Sequence, residues 1–343
     1  MRLLACLLVA SVGLVAAKKQ EIKVVVVTMF ERGEDTGDAP GEFQLWVERE
    51  KLTQVIPFPQ GNRSLRSDGK GLIAMVTGVG TAKAAASVMA LGMDPRFDLT
   101  KAYWLVAGIA GVDPADATLG SAAWATYIVD GDLAHEIDAR EIPANWKTGF
   151  VPLRKAVPYE QPLREPNEGE MYKLNEPLVD WAFSLTKGLD LGDSPSLKER
   201  RAQMIGMPNA QRPPSVLKGD TLQSSTFWHG KLLNEWANDW VSYHTKGKGN
   251  YVTTAMEDTG TLQSLHFLAK AGKVDVSRVL VLRTASNFDS QRPQITAAES
   301  LAENKAGGYA GFIPSVESAW KVGSTVVREL ITNWKTYRST MPK

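Results

Sequence analysis

Residues 22–31, IKVVVVTMFE, decide the fold of this chain. The four consecutive valines form a β-branched run that is typical of a buried strand in an α/β sheet. The run ends in Thr28-Met29-Phe30-Glu31, so polar groups follow directly after the predicted strand. Ligand sites in open α/β sheets form outside the carboxyl ends of the strands, and this exit is therefore the first candidate site segment.

Similar strand exits recur along the chain in one order. They are residues 76–80 (VTGVG), 107–111 (AGIAG), 254–258 (TAMED) and 283–289 (RTASNFD). Each lies at or near the end of an apolar run. Packing alone is a poor explanation for five such exits, and the set therefore indicates a ligand site.

The remaining pattern predicts an α/β fold in a single domain, residues 18–343. The predicted strands are 22–28, 71–77, 102–107, 121–129, 251–254 and 279–283, and the predicted helices are 81–91, 178–187, 229–243, 261–271 and 316–334. Ten of the 18 prolines fall in residues 140–215. Because proline breaks helix interiors and central strands, we predict an insertion there, which could be a lid or an interface.

The first residues predict export. Arg2 precedes the apolar residues 3–15 and the small pair Ala16-Ala17, a pattern typical of a signal peptide over residues 1–17. The apolar run is shorter than the 20 or so residues of a spanning helix, although a retained anchor is the alternative. We expect a periplasmic or secreted protein. The only cysteine, Cys6, lies within this segment, so the mature chain would hold no disulfide and no thiolate site.

Charge and motifs exclude several functions. The net charge is +1, and loss of Arg2 leaves 38 basic side chains (39 minus one) against 38 acidic ones, which argues against a nucleic-acid partner. The chain lacks GxxxxGK[ST], HExxH and GxSxG motifs. No second histidine lies near His135-Glu136, and we predict neither a metal site nor a cofactor.

Individual residues in these exits, and the aromatic pair at 227–228, allow two interpretations each. Glu257 could accept hydrogen bonds from sugar hydroxyls, whereas Asp258 is better suited to a structural role at a helix start. Asn287 and Asp289 could bond a ring nitrogen of a base or form an Asx-turn. The aromatic pair at 227–228 could stack on a flat base or pack in the core.

Together these segments resemble the nucleoside phosphorylase/nucleosidase superfamily. Residues 71–91 resemble its glycine turn and Ala-rich helix, 224–230 its base-stacking segment, 255–257 its ribose motif and 283–287 its base-contacting segment. The similarity is closest to the purine nucleoside permeases, whose run AGIAGV(D/N)P…ATLGS…DAREIP is matched at 107–143. The resemblance implies a three-layer α/β/α fold with a central mixed, partly barrel-like sheet.

The resemblance also implies site residues. They are Asn287, Asp289 and Glu31 for catalysis, Met256 and Glu257 for ribose, Phe227, Trp228, Ala110 and Gly111 for the base, and Thr28, Arg32 and Gly108 for phosphate or water. Glu34 is the alternative to Glu31, and Arg32 could instead pair at the surface. Two positions depart from the superfamily: Ala255 replaces the first glutamate of the ribose motif, and Asn287 stands where many members carry an acid.

The predicted function is cleavage of the N-glycosidic bond of purine nucleosides by hydrolysis or phosphorolysis, with inorganic phosphate as a possible co-substrate. The alternative is a non-catalytic nucleoside-binding protein that supports uptake through a membrane transporter. A hydrolase of another small glycoside is the third interpretation, since fold does not fix function. A homo-oligomer is compatible with each.

Overall fold

The computed structural model describes residues 19–161, 169–307 and 309–343, without the side chains of residues 304–307. The predicted signal peptide, residues 1–17, lies outside the described residues. The strands are β1 (Gln20–Glu21), β2 (Val24–Thr28), β3 (Gln54–Ile56), β4 (Leu65–Ser67), β5 (Leu72–Val76), β6 (Phe97–Asp98), β7 (Tyr103–Val112), β8 (Ala122–Trp124), β9 (Tyr127–Asp130), β10 (Ala134–Glu136), β11 (Phe150–Pro152), β12 (Met171–Lys173), β13 (Val216–Lys218), β14 (Asp220–Gln223), β15 (Tyr251–Ala255) and β16 (Val279–Phe288).

The α-helices surround a large sheet of twelve of these strands. They are α1 (Gln44–Arg49), α2 (Thr81–Gly92), α3 (Glu176–Thr186), α4 (Pro195–Ala202), α5 (Lys231–His244), α6 (Asp258–Lys270), α7 (Ala297–Gly307), α8 (Phe312–Thr332) and α9 (Trp334–Tyr337). The sheet contains parallel and antiparallel pairs, which confirms the predicted mixed α/β fold. Of the helices in these ranges, not one combines the length and the apolar character that a membrane span requires.

Strand β7 organises the sheet. One of its edges pairs with β16 in parallel, from Trp104 opposite Val279 to Val112 opposite Phe288. Its other edge is divided between two strands. Residues 103–106 pair with β2 in parallel, and residues 111–112 pair with β15 in antiparallel orientation.

Residues 107–110 of β7 therefore have no strand partner on that second edge within the described chain. Backbone amides that the sheet does not use need another partner when they are buried. We call this opening the β7 gap. It lies where the carboxyl ends of β2 and β16 meet the end of β15, and it positions the site described below.

Helix α8 packs against β7 and β16 and closes the core on one side. Its apolar stripe is buried, including Val322, Val326 and Val327. Gly323 lies on this stripe because a Cβ there would stand 2.9 Å from the Trp46 ring. A glycine that weakens the helix by propensity thus permits close packing of α1 on α8.

The sequence-derived boundaries differ from the structure most at three strands. The predicted strand 279–283 is β16, which continues to Phe288. The predicted strand 102–107 continues through the glycines to Val112, because β16 pairs with it along almost its whole length. The predicted strand 121–129 is instead two strands, β8 and β9. In the Pro-rich residues 140–215, the predicted helix is α3, and β12 joins the main sheet beside β9.

Candidate functional site

A cavity of about 150 Å³ opens at the β7 gap. We call it the gap cavity. Its wall combines the exits of β2, β15 and β16 with the middle of β7 and three loops. The lining residues are Met29, Phe30, Glu42, Val79, Ile109, Ala110, Gly111, Phe227, Thr254, Ala255, Met256, Glu257, Ser286, Asn287 and Tyr309.

Glu42 occupies the β7 gap itself. The amide of Ile109, which the sheet leaves unpaired, donates to Glu42 Oε1 at 2.8 Å, and the amide of Met29 donates to Oε2 at 2.7 Å. Burial raises the pKa of Glu42 to about 8, although Arg283 lowers it in opposition, and nearby Glu257 raises it further. A carboxyl group with such a pKa can exchange a proton near neutral pH.

Glu257 is the second carboxylate in the wall. It is 5% exposed, and its Oε1 accepts from the Gly80 amide at 3.2 Å. Gly80 has a φ of 96°, a conformation that favours glycine and that directs this amide toward the carboxylate. Burial raises the pKa of Glu257, while Arg283 lowers it.

Arg283 lies beneath both carboxylates and is 1% exposed. Its Nε and Nη2 bind Asp258, its Nη2 also donates to Glu257 Oε2 at 3.1 Å, and its Nη1 donates to the Ile109 carbonyl at 3.1 Å. Burial opposes its charge, but Asp258 and Glu257 outweigh burial and raise the pKa of Arg283. Asp258 is therefore structural, but as the ion-pair partner of Arg283 and not as the cap of a helix start that the sequence suggested.

Asn287 gives the cavity an oriented amide. Its Oδ1 accepts from the Ser286 hydroxyl at 2.9 Å, and its Nδ2 donates to the Phe288 carbonyl at 3.2 Å. These bonds leave one N–H and one lone pair on the amide for a ligand. Gly111 is required beside it, because a Cβ there would stand 3.3 Å from Asn287 Nδ2 and 2.8 Å from Thr254 Cγ2.

The mouth of the cavity is aromatic. Phe227 is 47% exposed, and its ring centroid lies 6.4 Å from that of Tyr309. An exposed ring beside a polar cavity can stack on a flat base. Its neighbour Trp228 turns away from the gap cavity and lines a different one.

The structure thus brings six of the predicted residues into one cavity: Asn287, Met256, Glu257, Phe227, Ala110 and Gly111. Gly108 lies just behind the wall. A Cβ at Gly108 would stand 2.7 Å from Arg283 Nη1 and 2.8 Å from Glu42 Oε1, so this glycine makes room for both groups.

The other predicted residues lie elsewhere. The Glu31 carboxylate accepts the amides of Phe43 and Gln44 at 2.8 and 2.6 Å, so it caps α1 instead of facing the cavity. Thr28 is fully buried and donates to the Met75 carbonyl. The Arg32 guanidinium lies over the Phe312 ring at 4.9 Å.

Asp289 is also absent from the cavity wall. It has no exposed surface, and it accepts the Tyr251 hydroxyl at 2.5 Å and the Asn234 amide at 3.1 Å. Burial raises its pKa well above the usual value, and Asp113 adds to the effect. Glu34, the alternative to Glu31, is exposed.

Sequence reasoning missed Glu42. It follows Gly41 at the start of a short helix, a place where an acid is ordinarily read as a cap or a surface group. No strand exit or motif marks it. Only the pairing of β7, which leaves the Ile109 amide free, shows why a carboxylate is needed at that point.

The fold places the chain in a known structural class. It is similar to the 5′-methylthioadenosine/S-adenosylhomocysteine nucleosidase of Helicobacter pylori, with a TM-score of 0.52 and 15% identity over 90% of this chain and 98% of that one. It is also similar to the futalosine hydrolase of Helicobacter pylori, with a TM-score of 0.51 and 14% identity over 90% and 98%. The chain therefore has the nucleoside phosphorylase-like fold of these nucleosidases.

Within that class, residues 21–342 match the family model described as purine nucleoside permease. The chain belongs to the purine nucleoside permease family, as its motifs predicted. A probable purine nucleoside permease of Schizosaccharomyces pombe is 30% identical over 267 residues, or 76% of each chain. A purine nucleoside permease of Candida albicans is 32% identical over 269 residues, which cover 77% of this chain and 65% of the relative.

Proposed function

We propose that this protein hydrolyses the N-glycosidic bond of purine nucleosides. The observation that carries the proposal is one cavity that holds the carboxyl groups of Glu42 and Glu257 together with the Asn287 amide. The nucleosidase fold and the family of the chain support a nucleoside as the ligand.

Each group has a role in the proposed reaction. Glu257 accepts hydrogen bonds from the ribose hydroxyls, and its negative charge favours the oxocarbenium character of the transition state. Ionised Glu42 takes a proton from a water molecule whose oxygen bonds to the anomeric carbon. The glycosidic bond breaks with its electron pair moving to the base. Asn287 holds that base by hydrogen bonds, and solvent supplies the proton, since an amide has no proton to transfer.

The gap cavity suits water better than phosphate as the attacking group. Phosphorolysis needs cationic donors around a dianion, and among the described residues none that lines the gap cavity is Lys, Arg or His. Arg283, just behind the wall, uses its one Nε hydrogen, one Nη1 hydrogen and two Nη2 hydrogens on protein acceptors, so four of its five donors are occupied. With one N–H left, Arg283 cannot bind phosphate through two parallel hydrogen bonds.

The test is incubation with adenosine, inosine and guanosine in buffers with and without inorganic phosphate. We expect free base and ribose at the same rate in both. A strict requirement for phosphate, with ribose 1-phosphate as product, would replace hydrolysis by phosphorolysis. Release of no base from any of the three would remove the enzymatic proposal.

A second candidate is a nucleoside-binding protein without turnover that delivers its ligand to a transporter. It is favoured by the position of Asp289, because Asp289 is buried away from the wall and leaves Asn287, whose amide has no proton to transfer, as the polar group that the β16 exit presents to the base. The family name points the same way. Calorimetry distinguishes the two: tight binding of an intact nucleoside that survives overnight incubation supports the binding protein.

We further propose that the protein acts outside the cytoplasm after removal of residues 1–17. The support is the basic, apolar and small-residue order of that segment. Mass spectrometry of the protein recovered from its native host checks this. A chain that retains Met1 or Arg2 would contradict it.

A further inference from the structure

The ring of Phe227 is carried to the mouth of the gap cavity by the segment between β14 and α5. We call residues 224–228 the Phe227 loop. Three consecutive residues of this loop, 225–227, are exposed, so burial contributes little to holding them in place. An exposed segment of this kind depends on its hydrogen bonds for a fixed position, and the Phe227 loop has such bonds on two sides.

Asp132, in the turn between β9 and β10, holds the loop from one side. Its Oδ1 accepts the Ser224 hydroxyl at 2.6 Å, and its Oδ2 accepts the Ser225 amide at 2.7 Å. The Ser224 hydroxyl oxygen in turn accepts the Thr226 amide at 3.1 Å. The two backbone amides that precede Phe227 therefore both depend on Asp132, one directly and one through Ser224. Hydrogen bonds to a carboxylate are stronger than those between neutral groups.

Asp132 is itself connected to the buried part of the molecule. Its backbone amide donates to Asp130 Oδ1 at 2.8 Å, and Asp130 Oδ2 accepts the Thr259 hydroxyl of α6 at 2.7 Å. Asp130 and Thr259 are 5% and 3% exposed, so they provide a rigid base. The Asp132 carboxylate thus transmits the order of the core to an exposed loop.

The start of α2 holds the loop from the other side. The hydroxyl oxygens of Ser225 and Thr81 are 2.6 Å apart, and the Gln223 side-chain amide donates to the Thr81 hydroxyl at 2.8 Å. Thr81 follows Gly80, whose amide donates to Glu257. The loop that carries the aromatic ring is therefore tied to the same turn that holds the carboxylate proposed to bind ribose.

We propose that Asp132 is a positioning residue for nucleoside binding, which fixes the Phe227 loop so that the ring faces a base in the gap cavity. This role rests on the proposed function, since it takes the base of a nucleoside as the ligand of that cavity. Asp132 does not line the gap cavity and acts through Phe227, which does. A ring that is fixed beforehand loses less conformational freedom when the base binds, and affinity rises. Ser225 adds a second, weaker tie through Thr81.

The test is a double-mutant cycle between Asp132 and Phe227, measured as the Kd of hypoxanthine by calorimetry with the complete protein. Asp132→Asn keeps the shape of the side chain, but its single oxygen can accept only one of the two bonds. We expect it to weaken binding about tenfold in the wild-type background. In the Phe227→Ala background the same change should alter the Kd about twofold or less, because the ring through which Asp132 acts is gone.

The cycle separates positioning from a merely structural role. A further tenfold or so loss in the Phe227→Ala background would show that Asp132 supports the fold and does not act through the ring, and would overturn the proposal. Unchanged binding in Asp132→Asn, or no binding of hypoxanthine to the wild-type protein, would overturn it as well. Hypoxanthine has no glycosidic bond, so its Kd is measured in the same way whether or not the protein hydrolyses nucleosides. Release of base from inosine decides the hydrolysis separately, and the two proposals can fail independently.

A second variant and a control locate the effect. Ser225→Ala removes the hydroxyl that meets Thr81 and keeps the amide that donates to Asp132, and we expect binding about threefold weaker, since this bond joins neutral groups. Ser225 is exposed, so this variant tests the loop even if Asp132→Asn does not fold, and an unchanged Kd would contradict the proposal. The control is Asp138→Asn, whose carboxylate accepts from Arg140 and not from the loop. It should leave the Kd unchanged. An equal loss there would assign the effect to lost negative charge and contradict the proposal.

Discussion

Three buried carboxyls follow strands of the main sheet, Glu42 after β2, Glu257 after β15 and Asp289 after β16, and they differ in access to the gap cavity. Glu42 and Glu257 line the gap cavity, while Asp289 is sealed by Tyr251 and Asn234. Burial is the main cause of the raised pKa in all three. The comparison teaches that a raised pKa is not by itself a sign of function, because burial raises it in all three carboxyls, and that only a cavity beside the carboxyl makes it available for chemistry.

The strongest way to break this comparison is to neutralise Glu42. We expect Glu42→Gln to keep the fold, since the amide oxygen can still accept one of the two backbone N–H groups, and to lower kcat about 10²–10⁴-fold by removing the general base. Steady-state kinetics with inosine measure it. Glu31→Gln is the matched control: it should leave kcat nearly unchanged and lower stability by about 1 kcal/mol through the loss of a charged cap. A larger loss of kcat in the Glu31→Gln variant would instead support the catalytic role that the sequence analysis gave to Glu31.

The second largest expected effect is a loss of folding stability on removal of Arg283, the cation beneath the cavity. Arg283→Met leaves Asp258 and Glu257 buried without their partner, which costs about 3–5 kcal/mol. Denaturant unfolding monitored by circular dichroism measures the change. The control is Arg49→Met, which breaks the exposed pair with Glu317 and should cost less than about 1 kcal/mol. Similar losses of unfolding free energy in both variants would show that the buried ion pairs of Arg283 stabilise the fold no more than the exposed pair of Arg49.

The pH dependence of turnover sharpens the assignment of Glu42. A general base works in its ionised form, and the pKa of Glu42 is about 8. We therefore expect kcat/KM to rise about tenfold per pH unit below that value and to level off above it. The rise should disappear in the Glu42→Gln variant. A rate that falls from pH 6 to pH 8 would show that the protonated carboxyl is the active form.

The smallest expected effect concerns the buried Asp289, and it is a change in how stability depends on pH. The pKa of Asp289 is raised in the folded protein, so its contribution to stability is present below its usual value of 3.8 and is lost as the pH rises toward the folded value. Asp289→Asn stays neutral, so its stability should fall less than that of the wild type between pH 4 and pH 7. Its kcat should stay within a few-fold. A hundredfold loss of kcat would identify Asp289 as the acid that serves the base.

The sequence was sufficient for the family and for most of the framework. Local sequence patterns predict three elements directly: the β-branched run of β2, the Ala-rich helix α2 and the apolar stripe of α8. The strand exits at Gly111, Glu257 and Asn287 meet in one cavity. Gly111 and Asn287 lie at the carboxyl ends of the parallel strands β7 and β16, whereas Glu257 reaches the cavity because β15 runs antiparallel to β7 and ends beside the β7 gap.

The remaining parts of the site depend on long-range pairing. Glu42 is separated by 67 residues from the Ile109 amide that it accepts, and no local pattern links the two. Glu31 and Trp228 have residue types suited to the predicted roles, but one carboxylate caps a helix and one indole faces another cavity. Residue type and order identified the segments, and the direction of each side chain required the fold.

The β7 gap also bears on how a bound ligand would connect the strands on its two sides. The strands on its two sides, β2 and β15, belong to the first and last parts of the chain and do not pair with each other. Glu42 follows β2 and Glu257 follows β15, so a nucleoside on Glu257 and the water activated by Glu42 would together lie across a seam in the sheet. The bound ligand would then link β2 and β15, which no backbone hydrogen bond of the sheet joins directly.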